Sequence, residues 1–382
     1  MKKTFSFLLG LALLLTGCSK LAQIDKTNEG GVEVVLNHLE PYSLKGVVAR
    51  LRLEKEVTID LEQGEYAGLD LRWPEYVDAD SRGNVYLVEP SAAAEYFINE
   101  FNSQGKFVRS LGKKGQGPGE LQSAEYVFVS PNDRILVFDV DGLKTLEFNT
   151  DGTFIKETKV RPGLWDVIPL HTGNYLARRN YMDVSKRWRM SVDLFDANFN
   201  ELKNLDSYDY SDLAQGKKTP GIIIPFYWRV RGDRIYMGKG FKDYEIKVFD
   251  FQGNLLRKIR KEFRPEAYPD EFKKQTETMI KARATSDLYV LTDMPPFNSF
   301  FIDDDGRIFV MTYEPGEGKD EYIHDIFSAD GVFIGRASLG KYGTMGRSLN
   351  HMRTTAANGR FYRLTFKENG YPEVIVYRMV WE

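Results

Sequence analysis

The feature that most constrains this 382-residue chain is a unit that recurs along it: strand, turn rich in Gly, Asn or Asp, strand, variable stretch, strand, turn, strand. The first copy reads Tyr76-Val77-Asp78-Ala79, the turn Asp80-Ser81-Arg82-Gly83-Asn84, then Val85-Tyr86-Leu87-Val88. It continues through Tyr96-Phe97-Ile98-Asn99-Glu100-Phe101 and the turn Asn102-Ser103-Gln104-Gly105 to Lys106-Phe107-Val108. The second copy repeats this with Val127-Phe128-Val129, Pro131-Asn132-Asp133, Ile135-Leu136-Val137-Phe138, Thr145-Leu146-Glu147-Phe148, Asp151-Gly152 and Phe154-Ile155. Four looser copies follow, marked by the turns Thr172-Gly173-Asn174, Gly232-Asp233, Asp304-Asp305-Gly306 and Asn358-Gly359. Short β-rich runs broken by such turns at regular spacing indicate a repeated all-β architecture.

One four-stranded sheet cannot bury both of its faces, so repeats of this kind stack around an axis, and closing the ring limits exposed edges. Six copies predict a six-bladed β-propeller. Length alone would allow two domains, but propellers run long as one folded unit, and the domain is placed at residues 34–382. The sixth copy runs out of chain after Tyr377 to Trp381, whereas Val57-Thr58-Ile59-Asp60-Leu61 reads as a strand; this early segment is expected to complete the last blade. Between copies four and five, Pro269-Asp270-Glu271 introduces Phe272, Thr276, Met279, Ile280 and Arg283. That spacing, acidic at its start and basic at its end, predicts a helical insertion of about four turns across one mouth or the outer rim.

At the N-terminus, Lys2 and Lys3 precede an apolar run from Phe5 to Leu15 and then Leu15-Thr16-Gly17-Cys18. This is the anatomy of a secretory signal over residues 1–17 rather than of a membrane span. Leu-Thr-Gly-Cys resembles the bacterial lipobox, which implies cleavage before Cys18 and its lipidation. Cys18 is the single cysteine, so no intramolecular disulfide and no cysteine metal site can form. Residues 18–33 lack aromatics and suit a tether. Lys+Arg total 52 against 55 Asp+Glu, a net charge of -3; loss of Lys2 and Lys3 leaves 50 against 55, or -5. No long basic block is present, which argues against a nucleic-acid partner.

The stretch from Gly105 through Leu111-Gly112-Lys113-Lys114-Gly115-Gln116-Gly117-Pro118-Gly119-Glu120 resembles the NHL-repeat signature. With the lipobox, the chain is similar over residues 55–382 to the six-bladed β-propeller lipoproteins of Bacteroidetes. The resemblance implies a fold and an envelope location, with the outer membrane favoured by Ser19 after the lipidated cysteine; it transfers no catalytic residues. The glycine run lacks the Lys-Ser/Thr of a phosphate loop and opens no helix, so its glycines are read as allowing a tight passage between blades.

A propeller's blade connections surround one mouth of its channel, where concave sites form. The candidate ligand residues there are Trp73, Gln116, Glu120, Trp165, Tyr227, Trp228, Arg229, Asn298, His351 and Arg353. Aromatic rings could stack on sugar or peptide groups while Arg, Asn and Glu fix orientation. No catalytic residue is assigned: the four histidines, His38, His171, His324 and His351, show no HxH or HExxH spacing, and no G-x-S-x-G elbow occurs. The expected function is a lipid-anchored binding or scaffolding protein, with a monomeric domain, no cofactor, and a glycan, peptide or envelope protein as partner. The alternative is a metal-dependent lactonase- or lyase-like propeller with a Ca or Zn ion in the channel.

Overall fold

Repetition of one turn sets the architecture. In the computed structural model, Asp80 Oδ1 accepts the backbone N–H groups of Arg82 and Asn84, both at 2.9 Å. Asp250 does the same for Gln252 and Asn254 at 3.0 and 2.7 Å, and Asp303 for Asp305 and Arg307 at 3.1 and 2.8 Å. A short acidic side chain thus replaces backbone partners as the chain reverses, and the next-to-last residue takes a left-handed φ that Gly83, Gly253 and Gly306 adopt without strain. In the third blade Phe199 holds this position at φ 59°. Its ring is buried against Tyr175 at 4.5 Å, and that burial offsets a conformation otherwise costly for a bulky residue.

The structure describes residues 24–382 except 44–47, 63–65, 67–68, 70, 92–93, 221–225, 240–242, 269, 283–286, 319–320 and 341–352. Six antiparallel blades follow one another. Blade 1 comprises Tyr76–Ala79, Val85–Val88, Tyr96–Phe101 and Phe107–Lys113, and blade 2 Ala124–Val129, Arg134–Asp139, Lys144–Asn149 and Phe154–Lys159. Blade 3 is Leu164–Pro169, Tyr175–Met182, Trp188–Phe195 and Glu201–Asp209; blade 4 is Tyr227–Arg231, Arg234–Lys239, Glu245–Phe249 and Leu255–Lys261. Blade 5 is Ser299–Ile302, Ile308–Pro315, Glu321–Phe327 and Phe333–Gly340. Blade 6 takes Thr354–Ala357, Arg360–Phe366 and Pro372–Trp381 from the C-terminal end and Leu51–Asp60 from the N-terminal end, in register from Glu373↔Asp60 to Trp381↔Leu51.

Every inner strand therefore starts where one blade hands over to the next, here termed the connection face, and ends at a tight turn on the opposite turn face. Between blades the core is aromatic and aliphatic. Trp228 and Met237 pack with Leu176 and Val192 across blades 3 and 4, and Tyr227 with Phe297, Phe300 and Phe327 across blades 4 and 5. Phe301 and Phe309 stack at 4.5 Å in blade 5 against Phe361 of blade 6. Each such side chain contributes roughly 1.5–3 kcal/mol by burial, so blade stacking dominates the stability.

The expected tether over residues 18–33 needs correction within its described part. Asp25–Glu29 and Val32–Asn37 form a hairpin on the outer edge of blade 4, with Val32–Asn37 parallel to Leu255–Lys261. The outer strand has no apolar residue to betray it. Glu29 is held by Lys258 at 2.8 Å and Arg260 at 2.5 Å, and Glu33 by Lys26 at 2.9 Å and Arg257 at 2.6 Å, so ion pairs rather than hydrophobic alternation place it. Residues 1–17 and Cys18 lie outside the described residues. Between blades 4 and 5 the chain carries the 13-residue helix Asp270–Ala282; with the single helical turn Ser211–Ala214 it is a minor element of an all-β fold. Among the described residues no helix is long and apolar enough to cross a membrane.

Candidate ligand site in the channel

The connection-face half of the channel gathers buried polar side chains from successive blades. Tyr76, Tyr126, Asp166, Trp228 and Arg229, from four successive inner strands, line a cavity of about 40 Å³ with Phe128 and Ile168. A water needs roughly 10–15 Å³ on this scale, so the space suits a few waters or one polar group of a larger molecule. Asp166 sits at φ 52° where the blade-3 edge bulges between Trp165 and Ile168, which turns its carboxylate inward; the residue is 1% exposed. Its Oδ2 accepts Arg178 Nε at 2.6 Å.

Among the described residues, Asp166 Oδ1, Glu125 Oε2 and Trp228 Nε1 are buried without a hydrogen-bond partner. Each such group costs about 1–3 kcal/mol if left dry, which favours an occupant able both to donate and to accept. Burial pushes the Glu125 carboxyl up to about 7; the Asp166 charge adds to the rise and Arg178 opposes it. Burial likewise raises the Tyr76 and Tyr126 phenols, and Tyr126 donates its hydroxyl proton to the Val167 carbonyl. The result is a desolvated donor and acceptor cluster below an open rim.

The sequence-derived candidates separate into three groups. Trp73 and Trp165 stand at the rim, 60% and 41% exposed. Trp73 lies against Phe366 at 5.8 Å, and Arg353 caps that Phe366 ring at 4.8 Å, so both candidates pack on one blade-6 side chain. Tyr227 and Trp228, at 4% and 1% exposure, pack between blades and do not stand exposed at the mouth. Alternation along the inner strand sends them to opposite faces of blade 4; Trp228 touches the channel cavity only from the side. Arg229 is half-buried, donating to the Trp228 carbonyl at 2.7 Å and lying 5.9 Å from the Phe300 ring.

Glu120 is also not a free ligand group. Its carboxylate accepts the Gly117 N–H at 2.8 Å and fills the space a Cβ on Gly115 would occupy, only 2.0 Å from Oε2. That is the physical content of the Gly-rich signature: glycines admit the glutamate that ties the loop. Gln116 is exposed and makes a 3.5 Å contact to Gln122. Asn298 donates its backbone N–H to Met311 at 2.8 Å and its side chain reaches the Tyr313 hydroxyl at 3.5 Å, away from the cavity. His351 lies outside the described residues. Glu125 and Arg178 were not among the sequence candidates, and Tyr76 and Asp166 stand within the first residues of inner strands; carboxylates beside an aromatic at an inner-strand start are the signal that joins them.

At the turn face a second cavity, of about 240 Å³, is lined by Asp80, Ser81, Asp133, Arg231, Asp304 and Asn358. Its polar groups bind one another. Ser81 donates to Asp133 through its N–H at 3.0 Å and its hydroxyl at 2.5 Å, and Asn358 Nδ2 donates to the Asp80 carbonyl at 2.6 Å. Arg231 crosses to the Ala356 carbonyl at 2.6 Å and to Asp304, which also accepts the Asn358 N–H. Deeper in, Asp78 accepts Val129 N–H at 2.8 Å and the Thr355 hydroxyl at 3.1 Å, joining blades 1, 2 and 6. For the divalent-ion alternative, no group of three His, Cys, Asp or Glu side chains converges as a metal site among the described residues.

Comparison with known proteins agrees on the fold. The model of a family described as 6-bladed beta-propeller matches residues 80–215. A Bacteroides fragilis protein described as exported superposes at a TM-score of 0.52 with 13% identity, covering 91% of this chain and 99% of that one. A DUF4221-family member from Bacteroides vulgatus gives 0.52 and 13% over 88% and 99%. A virginiamycin B lyase from Staphylococcus aureus reaches 0.42 and 7% over 87% and 100%, too distant to carry an argument. No curated protein matches the chain. The chain is an all-β, six-bladed propeller whose solved likenesses include an exported Bacteroides protein.

Proposed function

We propose that this protein is a ligand-binding lipoprotein of the cell envelope, anchored at the outer membrane through Cys18, with its site in the connection-face half of the channel. The observation that carries the reading is the set of unpartnered buried atoms, Glu125 Oε2, Asp166 Oδ1 and Trp228 Nε1, with the exposed rings of Trp73 and Trp165 near the same connection face. A hydroxyl-bearing ligand such as a glycan fits: a hydroxyl donates to a carboxylate and accepts from an indole N–H, while a tryptophan face covers the sugar's C–H surface. A peptide offers the same pairing through its amide. The second reading, an enzyme of the lactonase or lyase kind, draws on Glu125, since a carboxyl near neutrality can exchange protons at physiological pH.

The test is differential scanning fluorimetry with a panel of oligosaccharides and a panel of short peptides. A ligand at a hundred times its Kd stabilises by about 2.7 kcal/mol, a readily seen shift. Asp166→Asn, which keeps a residue tolerant of positive φ, and Trp73→Ala should each abolish the shift. A shift from either panel that survives both substitutions removes the site assignment, and no shift from any member removes the glycan and peptide reading.

A further inference from the structure

Single exposed apolar side chains, Val108, Ile155, Leu202 and Leu256, dot the outer strands of blades 1–4, but a group of them gathers at one edge of the connection face, and the chain's path leads there. Asp25–Glu29 runs antiparallel to Val32–Asn37, which runs parallel to the last strand of blade 4. Asp25 faces Leu36, and Leu36 faces Arg260, so Asp25 stands at the connection-face end of blade 4. His38 confirms the placement by bridging Asp25 at 2.9 Å and Glu262 at 3.3 Å. Cys18 is seven residues before Asp25. A chain of that length spans at most about 25 Å, so an anchor there holds this edge of the connection face close to the bilayer.

The same edge is apolar. Blade 3 extends a long hairpin, Tyr175–Met182 and Trp188–Phe195, beyond the connection face. Its tip is an Asp turn in which Asp183 Oδ1 accepts Ser185 and Arg187 N–H at 2.9 and 3.0 Å. Turns of this kind elsewhere carry polar or small residues outward, but here Val184 is fully exposed and Met182 and Trp188 are 50% and 37% exposed. Trp188 packs on Tyr210 at 6.1 Å, and its backbone N–H donates to Ser211 Oγ at 2.8 Å, so the strand start that carries the ring is tied to the segment after blade 3. Above blade 4, Tyr289 of the short parallel ladder with Thr219–Pro220 is 39% exposed, with Lys218 at 5.8 Å from its ring. Ile24, at the start of the hairpin that leads from Cys18, is 37% exposed.

We infer that the blade 3 and blade 4 sector of the connection face rests on the lipid surface, with Met182, Val184 and Trp188 in the interface. Tryptophan and aliphatic residues beside lysines, here Lys186 and Lys218, are the composition of segments that lie at the headgroup level. The inner-strand turns of the turn face carry Ser81, Asp133, Asp233 and Asp304 instead, which suits solvent. Trp73, on blade 1 across the ring, remains clear, so the channel mouth opens obliquely along the membrane. The inference rests in part on the lipidation reading.

The experiment uses the full chain purified from bacterial membranes, in vesicles of phosphatidylethanolamine and phosphatidylglycerol with brominated acyl chains, reading tryptophan quenching. Trp188→Phe is expected to remove about half of the quenching and Trp73→Phe almost none, because depth at the interface decides contact with the bromines. Val184→Asp should weaken quenching while the protein still co-floats with vesicles. Quenching unchanged by Trp188→Phe, or lost with Trp73→Phe, overturns the orientation. If the wild-type chain does not co-float, or Cys18→Ser floats equally well, the lipidation reading fails instead. The single thiol of Cys18 is then coupled to a maleimide-headgroup lipid, and the same Trp188 comparison decides the docking.

Discussion

The two ends of the central channel are made by the same six inner strands and differ in what their polar groups do. At the turn face, Asp80, Asp133, Arg231, Asp304 and Asn358 bind each other across blade boundaries. At the connection face, Glu125 and Asp166 are brought together with one oxygen each left over. Length explains the contrast. Inner-strand turns are short in every blade, so each reaches the next at the same height, whereas the connections run from four residues between blades 2 and 3, through ten between blades 1 and 2, to a helical excursion between blades 4 and 5. Uniform turns satisfy one another and give stability; irregular connections leave groups for something else.

Breaking a latch should therefore cost stability and breaking the cluster should cost binding. The largest effect is expected for Arg231→Met, which frees Asp304 and the Ala356 carbonyl and removes a cation that favours ionisation of Asp78, whose carboxyl burial already pushes up. A loss of about 2–3 kcal/mol by urea denaturation is predicted, below the full value for a buried pair because Asp304 is half exposed. A ligand shift, once found, should survive. An Arg231→Met protein as stable as wild type would show that the turn face is no more a structural clasp than the other mouth.

Glu125 offers the next largest effect, with opposite sign. Its carboxyl is raised from 4.5 to about 7, so the unfolded chain gives up the proton first and folding is disfavoured as the group ionises. The penalty is absent below about pH 4.5, grows as pH rises, and is fully developed above about 7. Glu125→Gln should accordingly unfold later than wild type at pH 8, by about 1–2 kcal/mol, and nearly level with it at pH 4. Equal stability at both pH values would mean that Glu125 is solvated and that the cluster holds no unspent carboxyl. For Trp73→Ala a change within about 0.5 kcal/mol is expected, because the ring is mostly in water.

Much of this was legible before the fold was known, and the parts that were not share a cause. Apolar alternation and Gly-containing turns reported each blade, because packing and turn chemistry are local in sequence. At the blade-3 turn Phe199 stands where other turns carry glycine, and nothing in the string says that a phenylalanine will be buried well enough to hold a left-handed φ. Asp25–Glu29 hid because its partners, Lys258 and Arg260, are more than two hundred residues away. Trp228 and Trp165 looked alike as connection aromatics, and only strand pairing put one between blades and the other at the rim. Aromatic identity alone does not separate a wedge from a platform.

The smallest effect tests whether the connection face is also where the molecule is tied down. Hydrogen bonds from Arg260 and Lys258 hold the Glu29 carboxyl down to about 2, although the group is exposed. A lowered carboxylate supports the folded hairpin in full above its unfolded value of 4.5, loses that support progressively as pH falls below it, and has none left below about 2. Glu29→Gln should leave global unfolding unchanged, since exposed pairs contribute little and are screened by salt. What should change is local: amide exchange in Asp25–Glu29 and Val32–Asn37 becomes faster in the variant, and in wild type on adding salt, while blade 4 stays protected. If hairpin and blade 4 exchange alike in both proteins, the hairpin is an integral part of the blade, and the proposed anchor at Cys18 would pull directly on the propeller. Faster hairpin exchange instead makes it a detachable strap, and in the proposed orientation the apolar tip at Val184 would then be the firmer hold on the membrane.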